Sequence, residues 1–157
     1  MRSHNIVALD TSVLIYQLEK NPRYFPLSDA IFAWLEHPGN SAITSTLSIT
    51  ELLVPAHRDG DAQRLQHYRG LLTTYPGLNW LHPDLVIADM AAQLRAEYRL
   101  KTPDAIQAAT AIQSKVSLLL TNDPIFQGVR ELKTHGPRRT PLTALDTPPK
   151  MVTSTNN

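Results

Sequence analysis

Residues 100–126 read LKTPDAIQAATAIQSKVSLLLTNDPIF, and the alternation in this stretch decides the fold class. Thr102-Pro103-Asp104 is a helix start, with Thr as N-cap, Pro at the first helical position and a carboxylate in the first turn. Ala105, Ile106, Ala108, Ala109, Ala111 and Ile112 follow as a small-residue helix suited to lying close against a sheet. Val116–Leu120 is a short, nearly continuous apolar run, the pattern of a parallel strand buried on both faces. Asp123 then stands at the carboxyl end of that strand, where open α/β sheets usually place their chemistry.

The same alternation runs through the rest of the chain. NIVALD (Asn5–Asp10) is a strand ending in an acid, followed by a helix over Thr11–Glu19. Helices are predicted over Leu27–Glu36, Ser48–Ala56, Ala62–Thr74 and Leu85–Tyr98 from their apolar spacing. Strands are predicted over Ser41–Thr46 and Leu78–Leu81, and an edge strand over Val129–Lys133. Strands alternating with helices argue a single α/β domain with a mainly parallel sheet, expected to span residues 1–133. From Thr134 the composition turns to Pro, Thr, Arg and Asn, with four prolines between Pro137 and Pro149. Residues 134–157 are expected to form a poorly ordered or peripheral tail.

Composition narrows the class. Hydrophobic residues make up 42% and charged residues 18% of 157, ordinary values for a globular protein. No apolar run approaches the ~18–20 residues of a membrane span, so no membrane association is expected. The absence of Cys excludes disulfides and thiolate metal sites and fits a cytoplasmic setting. A net charge of +1 neither demands nor excludes a nucleic-acid partner. The six His show no metal-ligand pairing, and there is neither a G-x-S-x-G elbow nor a glycine-rich phosphate loop. Asp10-Thr11 lacks the second Asp that an aspartyl-nucleophile phosphatase requires, because position 12 is Ser. Arg95, Arg99 and Lys101 read equally well as a basic rim beside Asp104 or as a solvated helix end.

Four acids remain: Asp10, Glu51, Asp104 and Asp123. Each has a bland explanation. Asp10 and Asp123 suit N-caps, Asp104 complements a helix dipole, and Ser48-x-x-Glu51 fits a capping box. Together they are less easily dismissed, because all four fall at element boundaries expected to share one edge of the sheet. Converging carboxylates repel unless a cation compensates, and their oxygens suit Mg²⁺ or Mn²⁺.

The motifs LDTSVLI (Leu9–Ile15), SITELL (Ser48–Leu53), LKTPDAIQAATAI (Leu100–Ile112) and LLTNDPIF (Leu119–Phe126) occur in this order. In them the sequence resembles PIN domains, most of all the VapC-type toxin ribonucleases of bacterial toxin–antitoxin pairs, over roughly residues 5–133. The resemblance implies a three-layer α/β/α fold and a divalent-metal-dependent endoribonuclease leaving a 5′-phosphate and a 3′-hydroxyl. It assigns Asp10, Glu51, Asp104 and Asp123 to the catalytic metal site, with Thr11 and Asn122 in support. It further implies an antitoxin partner and a homodimer. Leu18, Phe25, Phe32 and Leu53 are the apolar positions expected to lie exposed for docking. Two alternatives stay open: a PIN nuclease of RNA maturation, and a PIN module that binds RNA or protein without cutting.

Overall fold

The computed structural model describes residues 5–116 and 118–135. Five parallel strands form one sheet in the order β3-β2-β1-β4-β5. They are β1 (Asn5–Leu9), β2 (Asn40–Ser45), β3 (Leu78–Leu81), β4 (Leu118–Leu120) and β5 (Lys133–His135). The helices are α1 (Thr11–Glu19), α2 (Phe25–Leu35), α3 (Leu47–Arg58), α4 (Ala62–Thr74), α5 (Leu85–Tyr98) and α6 (Thr102–Gln113). A short 3₁₀ turn covers Pro124–Gly128.

Alternation along β1 builds the layers. Val7 and Leu9 face one core with α1, α2, α3 and α4, through residues such as Leu14, Phe32, Leu52 and Leu72. Ala8 faces the other with α5 and α6, through Leu94, Ala105, Ala108 and Ala109. Strand β4 divides the same way, with Leu118 and Leu120 to the first core and Leu119 to the second. The result is the expected α/β/α sandwich, with β1 at its centre. The alanines of α6 let its backbone approach the sheet, and Gly77 does the same for β3. A Cβ on Gly77 would meet the carbonyl oxygens of Leu35 and Asn40 at 2.9 Å, at a φ of +72° that favours glycine.

Several local expectations are corrected. The N-cap of α6 is Lys101, not Thr102, which is itself helical. The N-cap of α3 is Thr46, so Ser48 and Glu51 form no capping box. The edge strand expected over Val129–Lys133 lies at Lys133–His135, and the sheet therefore continues past residue 133. The tail beyond His135 lies outside the described residues. Leu18, Phe32 and Leu53 are not exposed: they are 8%, 1% and 7% accessible, because each closes the core beneath α1, α2 and α3. Phe25 is half-buried. No helix among the described residues is long and apolar enough to cross a membrane.

Candidate active site

In an all-parallel sheet every strand delivers its chain to the same edge, and helices that follow strands begin there. Asp10 follows β1 and occupies the N-cap position of α1, without a side-chain capping hydrogen bond. Glu51 lies early in α3, which follows β2, and Asp123 follows β4. Helix α6 feeds the amino end of β4, so its first turn, carrying Asp104, starts toward the opposite, carboxyl edge.

Asp10 is the most firmly held. It is 9% exposed, and its Oδ2 accepts from Ser12 Oγ and from Thr121 Oγ1, each at 2.8 Å. The Thr121 hydroxyl also accepts from the Asp123 backbone N–H at 3.0 Å, so one side chain orders two acids. Asp123 Oδ1 in turn accepts from the Ile125 N–H at 3.0 Å, capping the 3₁₀ turn. Asp123 is exposed, as is Glu51, and Asp104 is half-buried.

The electrostatics brings the four together. The Asp104 carboxyl is pushed above its ordinary range, first by burial, then by Asp123, Asp10 and Glu51, with Lys101 opposing. The Asp10 carboxyl is also pushed up by burial, against its three hydrogen bonds from Thr121, Ser12 and the Thr11 backbone, and Asp123 adds to the rise. Among the described residues, the ion pairs join Arg64 to Glu19 and Asp59, and Arg130 to Glu97, so none neutralises this cluster.

The donor set fits a hard divalent cation, being all oxygen, with uncompensated negative charge. The spacing sets a limit on that fit. Among the described residues no group of three His, Cys, Asp or Glu is placed to hold an ion directly. Mg²⁺ keeps several waters and takes only one or two carboxylates directly, so this arrangement suits a hydrated ion rather than a protein cage.

Beneath the acids lies a polar network that sequence reasoning missed. Gln107, 4% exposed on α6, donates through Nε2 to the Leu9 carbonyl and to Thr44 Oγ1, the latter at 3.3 Å. Its Oε1 accepts from Ser48 Oγ at 3.4 Å, and Ser48 shares a 2.7 Å hydrogen bond with Thr11 Oγ1. An amide oxygen only accepts, so Ser48 donates to Gln107 and Thr11 donates to Ser48. The hydroxyl of Thr11, expected to support the pocket, therefore takes part in this network. The network joins α1, α3 and α6, the three helices that carry Asp10, Glu51 and Asp104. A signal was present in the sequence: Ser48 and Gln107 are polar residues inside otherwise apolar helix faces. Asn122, the other supporting candidate, donates through Nδ2 to Tyr16 Oη at 2.6 Å, and its backbone N–H donates to Ser12 Oγ at 3.3 Å.

A family model described as PIN domain matches residues 7–132. Among solved structures, a chain of VapBC2 from Rickettsia felis, bound to a DNA fragment from its promoter, superposes with a TM-score of 0.66. It is 18% identical, over 83% of this chain and 98% of that one. A chain of a toxin–antitoxin complex from Klebsiella pneumoniae gives a TM-score of 0.58 at 29% identity, over 82% and 96%. VapBC-1 from nontypeable Haemophilus influenzae gives 0.63 at 20%, over 83% and 97%. A comparison with curated proteins gives no significant match.

Proposed function

The chain belongs to the PIN-domain family, and from that membership we propose that it is a Mg²⁺- or Mn²⁺-dependent endoribonuclease, the toxin of a type II toxin–antitoxin pair. The observation that carries this reading is the upward push on the Asp104 carboxyl by Asp123, Asp10 and Glu51 together. That push supports a reading in which Asp10, Glu51 and Asp123 each lie within electrostatic reach of Asp104. The similarity to VapBC and other toxin–antitoxin complexes supports the biological role.

Asp10, Glu51, Asp104 and Asp123 would hold the metal, directly or through its waters. When bound, it lowers the pKa of water and offsets charge on the phosphoryl oxygens. The residues of the chain supply placement. Ser12 and Thr121 fix the Asp10 carboxylate, and the Ile125 N–H fixes that of Asp123. Buried Gln107 holds the three helices in register below them. Exposed Lys101, close enough to oppose the rise at Asp104, supplies positive charge for a phosphate backbone.

A partner antitoxin belongs to the same reading, setting an Arg or Lys against the carboxylates, where charge-assisted hydrogen bonds are strong. So does a homodimer, for which Leu85 and Val86 on α5, 88% and 58% exposed, offer apolar surface to cover. The compartment proposed is the cytoplasm. The test is cleavage of single-stranded RNA in Mg²⁺ or Mn²⁺, with the ends of the products mapped. Cleavage should stop in EDTA, return with added metal, and leave 5′-phosphate and 3′-hydroxyl ends. Undiminished cleavage in excess chelator overturns the metal-dependent reading, and RNA binding without cleavage in either metal indicates a binding module.

A further inference from the structure

One aromatic feature touches the acid site without belonging to it. Tyr16 lies four residues after Ser12, one turn along α1 and on the same face. Its ring stacks on that of Tyr24, the N-cap residue of α2, with centroids 4.6 Å apart and planes 28° from parallel. The exposed Arg23 guanidinium lies over Tyr24, 5.1 Å from the ring centroid. The turn presenting both residues is stiffened by Asn21, whose Oδ1 accepts from the N–H groups of Arg23 and Tyr24 at 3.0 and 3.2 Å. At the other end of the stack, Asn122 binds the Tyr16 hydroxyl and, through Ser12, reaches Asp10 Oδ2. The path from stack to catalytic carboxylate is three hydrogen bonds long.

We infer that the Arg23–Tyr24–Tyr16 stack is a nucleobase subsite, seating the base of a nucleotide beside the scissile phosphate of single-stranded RNA. Single-stranded nucleic acid is gripped by aromatic faces and Arg planes on which bases stack, beside charge that tracks the backbone. Aromatic rings and an Arg plane are present here, preorganised by Asn21 and joined to the site by Asn122. Packing alone would require the two rings. It would not require a Tyr hydroxyl tied to the residue before Asp123, or a guanidinium lying over the outer part of the stack.

The inference rests on the endoribonuclease reading, and its test separates the two. Cleavage of a single-stranded RNA by the full chain in Mg²⁺ or Mn²⁺ is compared with cleavage of the same RNA carrying one abasic position, moved along the strand. In the wild type, one abasic position beside the cut should lower kcat/KM by about 5- to 150-fold, the range of a single base–aromatic stack. Tyr24→Leu and Arg23→Ala should show a loss on intact RNA and little further loss on the abasic strand, whereas Tyr24→Phe should behave as wild type. Thermal melts verify that each variant is folded. A merely structural Tyr24 predicts independent losses: the variant slows but stays fully sensitive to the abasic position. That result overturns the subsite and leaves the nuclease reading intact. If the wild type cuts nothing, binding of RNA containing 2-aminopurine is read by fluorescence. Quenching that depends on Tyr24 then supports the stack in a non-cutting protein, and no binding overturns both.

Discussion

Replacing Gln107 by Met keeps the length and most of the shape of the side chain while removing both donors and the acceptor. Thr44 and Ser48 lose little, because their hydroxyl oxygens lie 3.4 Å apart and Thr11 still reaches Ser48 at 2.7 Å. The Leu9 carbonyl loses the donor that α6 brings to it. A buried acceptor stripped of its partner costs about 1–3 kcal/mol. For a chain of this size that is a fall in Tm of roughly 2–12 °C. Because Leu9 precedes Asp10, cleavage should fall beyond the loss of folded protein, by up to about 100-fold if the carboxylate is displaced. Gln107→Glu sharpens the test through its sign with pH. A carboxylate cannot donate to Leu9, and burial raises its folded pKa above the unfolded value of about 4.3. Its added cost is therefore complete above the folded pKa and disappears as pH falls below the unfolded one, where the protonated acid can donate once. Urea unfolding of wild type and both variants, at neutral and mildly acidic pH, measures this as a difference at each pH. The reasoning would be falsified if Gln107→Met stayed within about 0.5 kcal/mol of wild type with full activity.

Three further outcomes are expected. In metal-free buffer Asp104→Asn should be more stable than wild type at neutral pH. The raised carboxyl contributes stability only when protonated, and that contribution is lost as pH rises through its folded pKa, so the two melting curves should converge toward pH 3.8; a constant gap at all pH contradicts the mutual repulsion. Asp123→Asn keeps an oxygen for the Ile125 N–H, so without metal it should not weaken the turn. Saturating Mg²⁺ at 100 times its dissociation constant should stabilise wild type by about 2.7 kcal/mol and the variant by clearly less, and equal shifts in thermal melts would remove Asp123 from the site. Co-expression with the product of the adjacent reading frame should give a complex that survives purification and suppresses RNA cleavage, and two independent proteins in size-exclusion chromatography would count against the toxin assignment.

The layers of the fold were readable because helix and strand periods alternate cleanly, and α1, α4, β3 and α5 have the expected bounds. The four acids stood out in the sequence for a related reason: each lies near the start of a helix or the end of a strand, positions that a parallel sheet gathers on one edge. Local propensity misled where tertiary contacts outweighed it. Ser48 looks like a cap by spacing, yet its hydroxyl is worth more inside, where Gln107 and Thr11 satisfy it. Leu18, Phe32 and Leu53 looked available for a partner because a single helix cannot show which of its apolar positions the next helix covers. Gln107 was passed over because its polarity inside an apolar helix face does not say which distant groups satisfy it. Its partners are Leu9, Thr44 and Ser48, 98, 63 and 59 residues away in the chain.

The hydrogen bond from Thr121 to Asp10 spans 111 residues. Asp10 is among the first parts of the domain to leave the ribosome, and the strand that completes its surroundings is among the last. At ordinary elongation rates of ~5–20 residues per second, Asp123 is made roughly 6–23 s after Asp10. Until β4 inserts beside β1, the nascent chain has neither the Thr121 hydroxyl nor a full set of acids, and the central strand lacks one of its two neighbours. Chains that stop before residue 118 carry three of the four carboxylates and lack the strand that pairs with β1 on this side.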